Sequence, residues 1–299
     1  MAEASAQSSS RLATPATAST PASATPVESR RARTGPSQRV LSRSPIEQPI
    51  AADFDPSTLI GLFIAVGAVL LAQYLEGGSA STLVHGPALL IVVGGTLGAS
   101  LVQSPLPVLR RTVGLTRWTL TSPRLPFDAA IDVMVTWSRV ARKDGLLALE
   151  RVMGNQADPF LAKGLQLLID GSEPEAIRRT LEADIDAREG RELEAARVFD
   201  TMGGYAPTIG IIGAVIGLIQ VMGHLDEPAA LGAGIAVAFV ATIYGVGLAN
   251  ILLLPLGGRI RSAILEHSRY QELLSEGLSA IAEGENPRVV EHRLRGLIR

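Results

Sequence analysis

Four stretches of this chain, about Thr58–Leu75, Pro87–Val102, Gly203–Met222 and Ala229–Pro255, contain no aspartate, glutamate, lysine or arginine, and the segments between them are densely charged. In hydrocarbon each backbone amide needs a partner within its own segment, so an apolar run of ~18–20 residues rising ~1.5 Å each reads as a membrane-spanning helix. The pattern predicts an all-α integral membrane protein. It has four transmembrane helices and a large helical segment between spans two and three. A hydrophobic fraction of 47% agrees with that class.

The boundaries follow from local signals. Asp55 reads as the N-cap of span one, with Pro56 in the first helical position. Span two is short, and Ser104–Leu109 reads as lengthening it towards Arg110. Helical periodicity returns in Phe127–Val140 and Phe160–Leu168. Ser172-Glu173-Pro174-Glu175 reads as a helix start with a hydroxyl cap, an early proline and carboxylates near the positive end of the dipole. That helix runs from about Glu175 into span three, so region 110–202 is expected to be a helical stalk rather than an independent domain. Span four is long enough to project beyond the bilayer, ending near Arg259 and Arg261. An amphipathic tail, 259–299, follows. Residues 1–52 hold few large apolar side chains and no h-region, and read as a disordered basic tail.

Lysine and arginine placement orients the chain. The short loops 76–86 and 223–228 carry none of its 27 basic residues. The positive-inside rule therefore places both termini and the central segment in the cytoplasm. A formal net charge of −2 argues against a nucleic-acid partner. There is no cysteine, and no P-loop, nucleophile elbow, Rossmann fingerprint or metal-ligand spacing, so nothing supports an enzyme or a metal site.

Within the spans, Gly210, Gly213 and Gly217 are spaced for close helix contact, as are Gly94, Gly95 and Gly98, and Ala241, Gly245 and Ala249. No span contains an ionisable side chain of the kind that marks an ion path. The polar groups at depth are Thr96, Thr208, Gln220, Thr242, Tyr244 and Asn250. Either the protein moves no ions, or a partner chain supplies the titrating group. Arg142, Lys143, Asp144, Glu150 and Arg151 form a charged group in the central segment, which by itself reads as a solvated helix face.

Three motifs carry a resemblance: GPALLIVVGGTLGASLV (Gly86–Val102), ARKDGLLALE (Ala141–Glu150) and the run Gly203–Pro255. Together they resemble the MotA/PomA family of flagellar stator subunits, relatives of the TolQ and ExbB proteins. The resemblance implies a homopentamer around two copies of a MotB-like single-span subunit, whose aspartate takes the ion. It implies roles for Thr242, with Thr208, Ala214 and Tyr244, along an ion pathway, and for Pro207 and Pro255 as conformational prolines. It also implies that Arg142, Lys143 and Glu150 meet a FliG-like protein of the rotor. Ala214 stands where sodium-type members carry a threonine, which points to a transported proton and no cofactor. Three alternatives stay open here. One is a TolQ/ExbB-like energiser, which has three spans and an outside N-terminus. Another is a sodium-driven, PomA-like stator. The third is a structural membrane scaffold without ion flux.

Overall fold

The computed structural model describes residues 52–54, 56–116, 121–123, 125–153, 158–223 and 228–298. Asp55, the expected cap, and nearly all of the basic N-terminal tail lie outside them. Among the described residues, four helices are long and apolar enough to cross a membrane.

Helix α1 spans Ser57–Leu75, with Pro56 in the capping position and no side-chain cap bond. A 3₁₀ turn, Ala80–Leu83, leads to α2, Gly86–Gln103. His85 caps α2: its Nδ1 accepts a hydrogen bond from the Ala88 N–H at 3.2 Å. Span two does not lengthen through Ser104–Leu109. Ser104 is extended, and a separate amphipathic helix, α3, covers Leu106–Thr116. The reason is Pro105, which cannot donate to the ladder and biases the residue before it away from the helical region.

The central segment supplies α4 (Phe127–Asp144), a 3₁₀ turn (Leu146–Leu149), α5 (Glu150–Met153) and α6 (Pro159–Ile169). Helix α7 then runs unbroken from Pro174 to Met222, 49 residues. At ~1.5 Å per residue it is about 73 Å long, more than twice a ~30 Å hydrocarbon core. Ser172 is not its cap. Glu173 precedes Pro174 with no side-chain cap bond. The Ser172 N–H instead donates to the Leu167 carbonyl, and the Gly171 N–H to that of Leu168. Gly171 has φ +72°, so the pair forms a Schellman turn closing α6, and Ser172 stands one residue ahead of the capping position.

Helix α8 covers Pro228–Gly247; a π-helical turn, Leu248–Leu253, joins it to α9, Leu254–Ala282. The helical rod of span four therefore continues past Pro255, Arg259 and Arg261 to Ala282, the projection that its length predicts. The wider π turn resets the hydrogen-bond ladder, and Pro255 falls in the first turn of α9, where a missing N–H removes no α-helical bond. Helix α10, Pro287–Ile298, completes the chain.

The extramembrane part is more than a stalk. Helices α4, α6 and α10 and the far ends of α7 and α9 enclose a core that includes Ile131, Met134, Leu149, Leu161, Leu165, Leu181, Leu274 and Leu294. Phe127 meets Tyr270 edge-to-face at 5.3 Å. Arg293 of α10 pairs with Glu283 at 3.1 Å and Glu285 at 3.2 Å, and also reaches Glu276, tying α10 back onto α9. A second core, including Leu115, Ala195, Phe199, Leu253, Ile260 and Ile264, joins α3, α7 and α9 where the spans emerge. Preceding α1, a short antiparallel pair, β1 (Ala52–Phe54) with β2 (Thr121–Pro123), is the one sheet among the described residues.

Candidate functional site

The seam between α7 and α8 is built of small residues because the backbones nearly touch. A Cβ placed at Gly210 would lie 2.9 Å from the Ala241 carbonyl oxygen, and one at Gly245 only 2.5 Å from that of Ala206. A Cβ at Gly213 would lie 3.1 Å from the Ala241 methyl, and one at Gly217 in ordinary contact, 3.4 Å, with Ala238. Of the span-two glycines, Gly95 meets a neighbour, Ile209, whereas Gly94 and Gly98 have open space around them. Helix α2 thus presents one glycine to α7 instead of a glycine stripe.

Opposite this seam, Ile211, Ile212, Val215, Ile219 and Met222 of α7 are exposed in the single chain, with Thr208 on the same side. At ~100° per residue they share one continuous face. The Thr208 hydroxyl satisfies itself on the Tyr205 carbonyl at 2.7 Å. Ala214 is half-buried beside the packed seam.

Thr242, Tyr244 and Asn250 line one apolar cleft of about 830 Å³, together with Leu62, Val66 and Val69 of α1 and Val92 of α2. Thr242 Oγ1 donates to the Ala238 carbonyl at 3.3 Å and Asn250 Nδ2 to that of Val246 at 3.0 Å. Within one chain Thr242 and Tyr244 are brought together, while Thr208 and Ala214 sit on α7 outside the cleft. The Tyr244 hydroxyl is engaged: it donates to the Leu83 carbonyl and accepts from the His85 N–H at 3.0 Å. It fastens α8 to the turn before α2, a task that no spacing signal announces because its partners are backbone groups 159 and 161 residues away.

Pro207 lies inside α7, which continues helically through it. Near the membrane exit Tyr205 donates to Gln103 Oε1, Arg261 pairs with Asp200, and Arg259 Nη1 donates to Ser57 Oγ at 2.9 Å. These polar ties join α1, α2, α7 and α9 at one level. Neither Gln103 nor Ser57 stands out in the sequence.

The remaining candidates lie in the extramembrane part. Arg142 and Lys143 occupy the last turn of α4, and Glu150 begins α5; all are exposed. Gly145, at φ +83°, reverses the chain between them. The intervening turn buries Leu149 completely and leaves Leu147 71% exposed. The charged tip is therefore anchored on a packed leucine and displays a second leucine to solvent.

Two models of known families match: the MotA/TolQ/ExbB proton channel family over residues 153–272, and the motility protein A N-terminal region over 59–145. Motility protein A of Bacillus subtilis is 34% identical over 241 residues, 80% of this chain and 89% of that protein. Chemotaxis protein PomA of Vibrio alginolyticus is 32% identical over 247 residues, 82% of this chain and 95% of that one. Among solved structures, the flagellar MotAB stator complex of Bacillus subtilis superposes with a TM-score of 0.75 at 33% identity, covering 80% of this chain and 94% of that one. The MotAB structure from C. jejuni gives 0.78 at 29% identity, covering 82% and 96%.

Proposed function

Because the chain belongs to the MotA/TolQ/ExbB proton channel family and is a MotA-like subunit of the flagellar stator, we propose that it turns as a homopentamer, driven by protons, around a MotB-like single-span partner. The family-model match over 59–145 favours this branch over a TolQ/ExbB-like energiser. One observation carries the reading. The apolar stretches of the four helices, 57–75, 86–103, 203–222 and 228–255, contain no acidic, basic or histidine side chain, yet α7 turns a broad apolar face away from its own chain. A face of that kind suits neighbouring helices, and the absent charge suits an aspartate on the partner.

The proposed cycle needs little from this chain beyond a shaped, uncharged wall. A proton arriving from outside neutralises the partner's carboxylate, lowering its cost at membrane depth. The ring then steps past, and release on the inner side restores the charge. The membrane potential supplies ~2.3 kcal/mol per elementary charge per 100 mV, enough to exchange helix contacts of ~1–2 kcal/mol. Thr242, Ala214 and Thr208 form the wall that the ion passes, and Ala214 offers no oxygen to a bare sodium ion. The termini and the 110–202 region lie in the cytoplasm of a cell whose inner membrane holds the spans. There Arg142, Lys143 and Glu150 meet a FliG-like rotor protein through exposed charges.

Deleting the chain should leave filaments intact and cells paralysed. Swimming restored by the chain should stop with a protonophore and ignore external sodium; speed that tracks sodium and survives the protonophore refutes proton drive. Introduced cysteines test the topology: Ser79→Cys should label from outside and Ser10→Cys only from inside.

A further inference from the structure

The π turn between α8 and α9 leaves one backbone oxygen over at membrane depth. The Leu254 N–H donates to the Ala249 carbonyl, five residues back. An unbroken α ladder would have sent it to the Asn250 carbonyl. The next amide in the π register belongs to Pro255, which has no N–H. The helix therefore runs on through Pro255, but the Asn250 carbonyl receives no N–H from the ladder. Arg259, whose Nη1 donates to Ser57 Oγ, marks the level where the spans emerge. Asn250 lies nine residues before it, about 13 Å inside at ~1.5 Å per residue. In hydrocarbon a carbonyl without a donor is strongly unfavourable, and irregular backbone persists there only against protein or water.

The Asn250 side chain adds to this. Its Nδ2 donates to the Val246 carbonyl at 3.0 Å, which leaves Oδ1, a pure acceptor, as its free end. Thr242, about two turns earlier, donates to the Ala238 carbonyl at 3.3 Å, so its remaining capacity is also to accept. Asn250 is exposed in the single chain and shares a stripe with Phe239, Ile243 and Val246, of which it is the one polar member. Across the cleft, Leu62, Val66 and Val69 of α1 and Val92 of α2 carry no side-chain donor. The α7 face that a neighbouring copy would bring, with Ile211, Val215 and Ile219, carries none either, and Thr208 beside it already donates to Tyr205. Acceptors facing apolar walls are met by water, and oxygens without competing donors favour a protonated one.

We propose that Asn250 is the inner station of the proton path: its backbone carbonyl and its Oδ1 hold a water molecule that takes up the proton on the way to the cytoplasm. The assignment rests on the proton-driven cycle proposed above. The proton leaving the partner's carboxylate forms a new O–H bond to this water, and the resulting hydronium donates to both Asn250 oxygens. The hydronium then passes a proton to the next water inward and reverts to water. Asn250 stays neutral and keeps its own hydrogens throughout. Helix breaks in membrane transporters face cations with freed carbonyls by the same chemistry. Pro255 and the π turn thus contribute an acceptor as well as a bend.

The chain has no cysteine, so a single introduced thiol reports without background. Inverted membrane vesicles holding the full chain with its partner are treated with a small water-soluble methanethiosulfonate. Asn250→Cys should react about tenfold faster than Ile243→Cys on the same stripe, because only a hydrated thiol ionises to the reactive thiolate. Equal, slow reaction at both positions means that position 250 is dry or covered by a neighbouring copy, and overturns the proposal. In swimming cells, Asn250→Leu should lower the speed of a lightly loaded motor by about tenfold, the loss of one hydrogen bond to a charged donor. Membrane levels and torque near stall should stay normal, and Asn250→Gln, which keeps the side-chain oxygen, should recover most of the speed. An Asn250→Leu motor as fast as the wild type removes Asn250 from the path. One that loses stall torque, or is not rescued by Asn250→Gln, shows a packing role instead and equally overturns the proposal. A wild-type motor that tracks external sodium refutes proton drive, whereas thiol reactivity at position 250 is read without motility and is independent of that result.

Discussion

Replacing Gly245 by alanine tests whether the α7–α8 seam is set by backbone contact. The added methyl would lie 2.5 Å from the Ala206 carbonyl oxygen and 3.0 Å from the Gly210 Cα, where ordinary contact begins at 3.4 Å. Both obstacles are backbone atoms of a continuous helix, so no rotamer change relieves them. The helices must part by roughly 0.9 Å, which also loosens Gly213 against Ala241 and Gly217 against Ala238. Overpacking of this kind costs about 1–3 kcal/mol, and the upper end applies because the whole seam opens. That is a shift of about 100-fold in the folding equilibrium. Gly247→Ala and Gly232→Ala are the controls. They lie on the same helix with nothing within 4 Å, and gain a little helix propensity. Thermal unfolding of the purified protein in detergent should show Gly245→Ala melting well below the wild type, and both controls at or slightly above it. If all three variants melt together, close backbone packing does not hold this seam.

Tyr244→Phe should cost about 1–3 kcal/mol in the same assay, because it strips partners from the Leu83 carbonyl and the His85 N–H; an unchanged melt would show that this fastening is dispensable. Burial, with the Arg188 guanidinium next in weight and opposed by Glu192 and Asp158, holds the His267 imidazole below its ordinary value of 6.5. The unfolded chain therefore binds that proton more readily, so this stability is complete above about 6.5 and lost as pH falls through the lower folded value. His267→Gln should flatten the acid limb of a melting-temperature profile, and an unaltered limb would assign it elsewhere. Burial, with Glu189 next, raises the Glu272 carboxyl, so Glu272→Gln should raise the melting temperature at neutral pH, more at low salt, and a fall would contradict that repulsion. Arg142→Glu should reduce torque on a tethered cell while leaving membrane levels normal, and full torque would remove Arg142 from the rotor contact.

What was legible in the sequence was whatever repeats along the chain. The spans show themselves because apolar runs without charge have few other folds open to them, and the small residues of α7 keep a helical period. The misses are places where one local signal competes with another. Ser172 looks like a cap, but it belongs to the turn that closes α6, and Glu173 takes the position before Pro174. Pro255 looks like a terminus, but the π turn before it absorbs the missing donor. The compact extramembrane core escaped notice because its two halves, around Ile131 and around Leu274, lie far apart in the sequence and neither buries a face alone. The candidate site fared likewise. Charges at Arg142 and Glu150 are visible in one motif, whereas the tasks of Tyr244 and Gln103 depend on partners from other spans.

The two long helical rods differ in one mechanical respect. Helix α7 is α-helical from end to end, while its neighbour carries a π turn midway, between α8 and α9. Pivoting a 73 Å rod by about 3° about its centre swings each tip by about 2 Å. A displacement imposed on α7 inside the bilayer would travel to its extramembrane end along one helix whose ladder lacks a donor only at Pro207, while the π turn offers the neighbouring rod a second place to bend.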